Sequence, residues 1–137
     1  MRRTKRTEIM YGPAGYSYVY LCYGIHHLFN IVTGPVDLPH AVLIRAVMPI
    51  MGIEIMNKRR GNVSQSQLLN GPGKWTQAFG ITTAVNGLNL FDKKSPIQLN
   101  QSKSDINTKN IIATPRIGIN YAEEWIDKPW RFILAKG

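Results

Sequence analysis

The stretch YSYVYLCYGIHHLFNIV, residues 16–32, limits the fold more than any other part of the chain. Two runs rich in aromatic and β-branched residues flank a single Gly24, a pattern that predicts an antiparallel hairpin with its tip between Tyr23 and His27. Side chains alternate along a strand, so Tyr16, Tyr18 and Tyr20 share one face while Tyr23 falls beside the turn. With Tyr11 just upstream, these are five of the six tyrosines in the chain. A core or cross-strand ladder accounts for Tyr11, Tyr16 and Tyr18. Packing does not account for a bulky ring at an exposed tip. In a basic protein such a ring can wedge between base pairs, while a second ring a few residues back stacks on an unstacked base.

The basic character is pronounced: Lys plus Arg number 17 against 8 Asp plus Glu, a formal charge of +9. That balance favours a polyanionic partner, nucleic acid above membrane surface. At 137 residues and 44% hydrophobic composition, the chain is expected to form one globular domain with one core. No apolar run reaches the roughly 20 residues of a spanning helix, and no signal peptide precedes the basic start. The expected location is therefore the cytoplasm, in association with the nucleoid, without membrane attachment. A lone Cys22 leaves neither a disulfide framework nor a cysteine zinc site, and His26, His27 and His40 do not make a metal site by themselves. No cofactor or metal is expected.

Arg2, Arg3, Lys5 and Arg6 open the chain, either as a solvated tail or as a phosphate-binding arm. AVLIRAVMPI, residues 41–50, is the pattern of a strand buried on both faces, with Arg45 needing partners in its middle. Those partners would be an internal ion pair or carbonyls, or else Arg45 has a functional role. MGIEIMNKRRG predicts a short helix closed by cations and Gly61, and SQSQLLNGPGKWTQAFGI two helical pieces broken at NGPG. Pro72 or Gly73 would open the second piece and Gly80 would follow its end. Its exposed N–H groups with Lys74 are either a phosphate seat or an ordinary capped helix. Residues 82–110 are polar and turn-rich, with one short strand expected at PIQL, residues 96–99. IIATPRIGI and WRFIL supply two further strands, joined by a helical or irregular YAEEWIDKP. No repeat, P-loop or dinucleotide fingerprint is present. Propensity alone supports an α+β fold with antiparallel hairpins.

Taken in order, RRTKRTEIMYGPAGYSYVYLCYGIHHLFNIVT, AVLIRAVMPIMG, NGPGKWTQAFGI and PRIGINYAEEWIDKPWRF resemble the alkyladenine (3-methyladenine) DNA glycosylase family from the second residue almost to the last. The resemblance implies a single compact α+β domain over residues 1–137, with a curved, mainly antiparallel sheet, surrounding helices and a protruding DNA-inserting hairpin. It implies a monofunctional base-excision repair hydrolase that flips alkylated or deaminated purines from double-stranded DNA and cleaves the N-glycosidic bond, acting as a monomer. Tyr23 matches the family's wedge, Tyr20 the ring stacked on the flipped base, and Tyr18 a pocket-lining tyrosine. Asn30 matches the residue that excludes the 2-amino group of normal guanine. Arg45 matches an arginine positioning the catalytic water, and Arg2 and Lys74 fall near backbone-phosphate contacts.

The family's general base, a glutamate, and its pocket histidine lie ahead of the RRT motif, so both are expected outside this sequence, and the chain reads as N-terminally incomplete. Glu8, the acid nearest the tyrosines, is flanked by Arg6 and does not occupy the family's base position. Asp37, in GPVDLP, reads as an Asx turn. The alternative reading is therefore a catalytically inactive nucleic-acid binding remnant of such an enzyme. An aromatic-rich β protein binding a small ligand would leave the charge unexplained.

Overall fold

The computed structural model describes residues 2–118 and 124–135. Its contacts divide the chain into two units, Met1–Asn100 and Gln101–Gly137. Among the described residues, they make a mixed α and β protein with antiparallel sheets and three short helices.

In the first unit, the aromatic stretch forms the expected hairpin. Strand β1, Ser17–Cys22, pairs antiparallel with β2, His26–Val32, which in turn pairs with β3, Ala41–Leu43. The turn is tighter than the sequence suggests, occupying only residues 23–25. Helix α1, Ile53–Arg60, ends on Gly61, and α2, Gln65–Leu68, leads through NGPG into α3, Pro72–Phe79. Pro72 opens α3 because its missing N–H has no helical partner there, and Gly80 closes it at φ 68°, a conformation a Cβ would disfavour.

Each face of the sheet has its own cover, as alternation requires. Val19 and Phe29, partners across the hairpin, pack with Met56, Leu68, Trp75 and Ala78 of the helical layer. Phe29 meets Trp75 edge-on with centroids 5.4 Å apart. The opposite face buries Tyr18 and Val32 under Met10 and Tyr11 of a 3-10 turn, Glu8–Tyr11. The N-terminal arginines are therefore carried on a folded turn: Thr7 is buried, and Thr4 and Thr7 exchange backbone-to-hydroxyl bonds of 2.8 and 3.2 Å.

The first part of strand β1 has its outer edge covered. Ser17 N–H donates to the Leu88 carbonyl at 2.9 Å, Gly87 N–H to the Ser17 carbonyl at 2.8 Å, and Val19 N–H to Asn86 Oδ1 at 2.9 Å. The Ser17 hydroxyl, fully buried, donates to the Val85 carbonyl at 2.6 Å and accepts from Leu88 N–H at 2.9 Å.

Two expected strands are corrected. The apolar run 41–50 does not form a strand buried on both faces: only Ala41–Leu43 is strand, Val42 is half exposed, and Met48 and Ile50 lie open to solvent. Residues 96–99 form no strand; Leu99 N–H donates to the Leu90 carbonyl, and Gln98 Nε2 donates to the Lys93 carbonyl at 2.8 Å and the Ser95 carbonyl at 3.3 Å.

In the second unit, β4, Ile111–Thr114, pairs antiparallel with β5, Arg131–Leu134. The first of these stops at Pro115, which cannot continue the ladder. Trp125 and Trp130 stack with centroids 5.3 Å apart, and the Arg116 guanidinium lies 5.2 Å over Trp130. Of the segment YAEEWIDKP, residues 121–123 lie outside the described residues, and a short turn follows from Glu124.

Candidate functional site

The hairpin tip carries the least expected backbone in the molecule. Ile25 N–H bonds the Cys22 carbonyl at 3.1 Å, and both central residues have positive φ, 51° at Tyr23 and 68° at Gly24. This is the primed geometry that matches the twist of two antiparallel strands. Glycine enters it freely, whereas an L-residue there costs roughly 1–2 kcal/mol. Tyr23 bears that cost while 92% exposed, so burial of its ring does not offset it.

Behind the tip, one face of the hairpin collects the other candidates. Tyr18 is buried and Tyr20 half-buried, with ring centroids 5.3 Å apart and planes tilted by 36°. Asn30 lies directly across from Tyr18, is buried, and donates its amide Nδ2 to the Tyr18 carbonyl at 3.2 Å. The Arg6 guanidinium sits 5.6 Å over the Tyr20 ring, a cation–π contact that the spacing of the basic opening did not reveal. Burial pushes the Tyr18 hydroxyl above the usual tyrosine range, with nearby Arg6 opposing it, so Tyr18 stays a neutral phenol at physiological pH.

Arg45 follows β3 by two residues, and β3 places Leu43 opposite Asn30. It is half-buried rather than enclosed, and among the described residues no hydrogen bond or ion pair engages its guanidinium. The expected internal partners are therefore not there. Lys74, in the first turn of α3, donates to Gln67 Oε1 at 2.8 Å and Asn70 Oδ1 at 3.1 Å, neutral acceptors that orient its charge without cancelling it. Arg2 is exposed, and its carbonyl accepts a bond from the Thr7 hydroxyl at 3.1 Å.

The neighbouring Arg3 is differently committed. Its Nε donates to Glu8 Oε2 at 2.8 Å, its Nη1 to Asp37 Oδ1 at 3.0 Å, and its guanidinium lies 4.8 Å over the Tyr11 ring. Those bonds hold the Glu8 carboxyl below its ordinary range. A carboxylate so stabilised is a weaker proton acceptor, which counts against Glu8 as a base poised near neutrality. Asp37, at φ 69°, is held by the same arginine.

Among the described residues no group of three His, Cys, Asp or Glu side chains is placed to hold a metal ion, and no helix is long and apolar enough to cross a membrane.

The structure is thus an α+β protein of strongly basic composition, with a bare aromatic ring on a hairpin tip and a half-enclosed aromatic face behind it. Comparison with known families is specific. The family model described as methylpurine-DNA glycosylase (MPG) matches residues 1–137, and the chain belongs to that family. A relative from Bacillus mycoides is 46% identical over 142 residues, covering 98% of this chain and 70% of the relative. One from Chlamydia pneumoniae is 48% identical over 136 residues, covering 98% of this chain and 67% of the relative. Both carry the name "Putative 3-methyladenine DNA glycosylase".

Proposed function

We propose that the protein acts in base-excision repair as a monofunctional glycosylase, which flips an alkylated or deaminated purine out of double-stranded DNA and hydrolyses its N-glycosidic bond. The observation that carries this reading is Tyr23: a fully displayed ring held in a strained left-handed conformation at a hairpin tip. Strain kept at an exposed position points to use of the ring rather than to packing. Tyr23 would fill the gap left by the flipped nucleotide. Extrusion costs a few kcal/mol and costs least where a lesion already weakens pairing.

Tyr20, cation-backed by Arg6, would stack on the flipped base, with Tyr18 and Asn30 lining its pocket from the same face. Asn30 would crowd the 2-amino group of guanine, selecting against a normal purine. Arg45, with an unengaged guanidinium, would orient the water that attacks C1′ while the bonding pair leaves with the purine. A purine alkylated on a ring nitrogen is cationic and departs neutral, whereas a neutral deaminated purine leaves as an anion and takes up a proton from solvent. Arg2 and Lys74 would contact the DNA backbone.

The base that activates the water is not assigned to Glu8 or Asp37, which Arg3 occupies. A positioned general base is worth roughly 10²–10⁴ in rate.

Single-turnover release of free base from methylated duplex DNA tests the reading. Release above the spontaneous rate, accompanied by tighter binding to an abasic-mimic duplex than to undamaged duplex, is expected. Lesion-selective binding by a folded sample without release would overturn the hydrolase and leave a DNA-binding protein.

A further inference from the structure

A recess of about 290 Å³ lies immediately behind the hairpin tip, between the start of β2 and the length of α3. His26 and His27 form one side, Gly73 and Gln77 of α3 another, and Gly80 and Thr82 the end. Ile25, two residues beyond Tyr23 and largely exposed, stands at its rim.

The chemistry of this recess is that of an anion site. Its lining contains no carboxylate. Neither imidazole has a hydrogen-bond partner among the described residues, so their ring nitrogens are available. Two guanidiniums lie against lining residues of α3 without themselves lining the recess. A Cβ on Gly80 would come 3.3 Å from Arg59 Cζ, and Arg60 Nη1 donates to Gln77 Oε1 at 2.7 Å. Arg59 and Arg60 bond only carbonyl and amide oxygens, so their charge is not neutralised by any acid among the described residues. The recess also depends on a missing side chain: a Cβ on Gly73 would fall 2.8 Å from His26 Nδ1. Glycine lets the imidazole lie against the start of α3.

We propose that this recess seats one phosphodiester of the DNA backbone, close to the position where Tyr23 inserts. Uncompensated positive charge beside imidazole donors and small glycine walls suits a compact tetrahedral anion better than a planar base. A phosphate clamped here would anchor the backbone while the neighbouring nucleotide swings out. The assignment rests on the DNA-binding reading given above.

Thr82 offers the test. It is exposed at the end of the recess, and its hydroxyl accepts a bond from Ala84 N–H at 3.2 Å, a cap that aspartate and asparagine side chains also make. Thr82→Asp and Thr82→Asn therefore differ mainly in charge. On an abasic-mimic duplex, the Asp variant is expected to bind about tenfold more weakly than the Asn variant, with the gap narrowing as salt rises. Replacing backbone phosphates one at a time with neutral methylphosphonate should close that gap at a single position. Equal binding by the two variants, or a gap that persists wherever the phosphate is neutralised, overturns the proposal. His26→Ala, at an exposed position, gives a second readout: it should weaken binding to the native duplex and not to the duplex neutralised at that one phosphate. Preference for the abasic mimic over undamaged duplex is measured in parallel with Tyr23→Ala. Loss of that preference judges the wedge, independently of the Asp–Asn difference that judges the recess.

Discussion

Replacing Tyr23 with glycine should separate stability from DNA binding. The left-handed conformation costs a tyrosine roughly 1–2 kcal/mol that glycine does not bear. Against this, glycine enlarges the conformational freedom of the unfolded chain, which disfavours folding by about 0.4–1 kcal/mol. The ring is 92% exposed, so its removal forfeits only a few tenths of a kcal/mol of apolar burial. The net expectation is a variant as stable as the parent or up to about 1 kcal/mol more stable, seen in urea as a raised midpoint at unchanged slope. Binding should move the other way. A ring stacked on a base is worth about 1–3 kcal/mol, so affinity for an abasic-mimic duplex should fall roughly five- to 150-fold, measured by fluorescence anisotropy. Undamaged duplex should be affected far less, and Tyr23→Phe should retain the preference. A destabilisation above about 1 kcal/mol would show that the ring packs against something and is not free at the tip. Equal loss on damaged and undamaged duplex would refute the wedge.

Other expectations follow from buried hydroxyls and from the Arg3 cluster. Ser17→Ala removes an acceptor and a donor that serve two backbone groups of the 85–88 segment, and should destabilise by about 2–4 kcal/mol in denaturant unfolding. Thr76→Val keeps shape but orphans the His27 carbonyl, which the Thr76 hydroxyl reaches at 2.7 Å; about 1–3 kcal/mol should be lost. Glu8 has its folded-state ionisation lowered below 4.5, so its contribution to stability is present above that pH and is lost as pH falls through the acid range. Arg3→Gln should flatten that part of the stability profile. Glu8→Gln should leave any base release unchanged, and a release that disappears with it would return Glu8 to candidacy as the base.

Much of the fold was legible because its punctuation is local. Gly24 at the turn, Pro72 at the start of α3 and Gly80 and Gly61 at helix ends each mark a boundary by a backbone requirement that no neighbour has to supply. The length of β3 was not legible, and the reason is tertiary. The bond from Ile44 N–H to the Phe29 carbonyl shows that odd-numbered residues of β2 face the third strand. Continuation would need the Ile44 and His27 carbonyls. Trp75 Nε1 takes the first at 2.8 Å and the Thr76 hydroxyl takes the second, so side chains from α3 end the ladder where the apolar pattern would have extended it. The tyrosine face was readable from strand parity, whereas Asn30 came only through the family resemblance, and its place opposite Tyr18 is set by the hairpin register. Arg6 over Tyr20, the commitment of Arg3 to two acids and the histidine-lined recess depend on chain segments brought together by folding. No spacing in the sequence encodes them.

The covering of β1 also has a consequence for the order of events during folding. The hairpin is local and can close in about 1–10 μs. Its outer edge is secured by Asn86 and by the Ser17 hydroxyl bonds, contacts made across 67 to 71 residues of chain. Each doubling of a closed loop adds about 0.6 kcal/mol of entropy cost, so these bonds are expected to form later than the hairpin. Between the two stages the chain presents a formed hairpin whose β1 edge is still unpaired. Ser17 and Asn86 therefore act as a late latch, and weakening either one should lengthen the interval in which two chains can pair edge to edge.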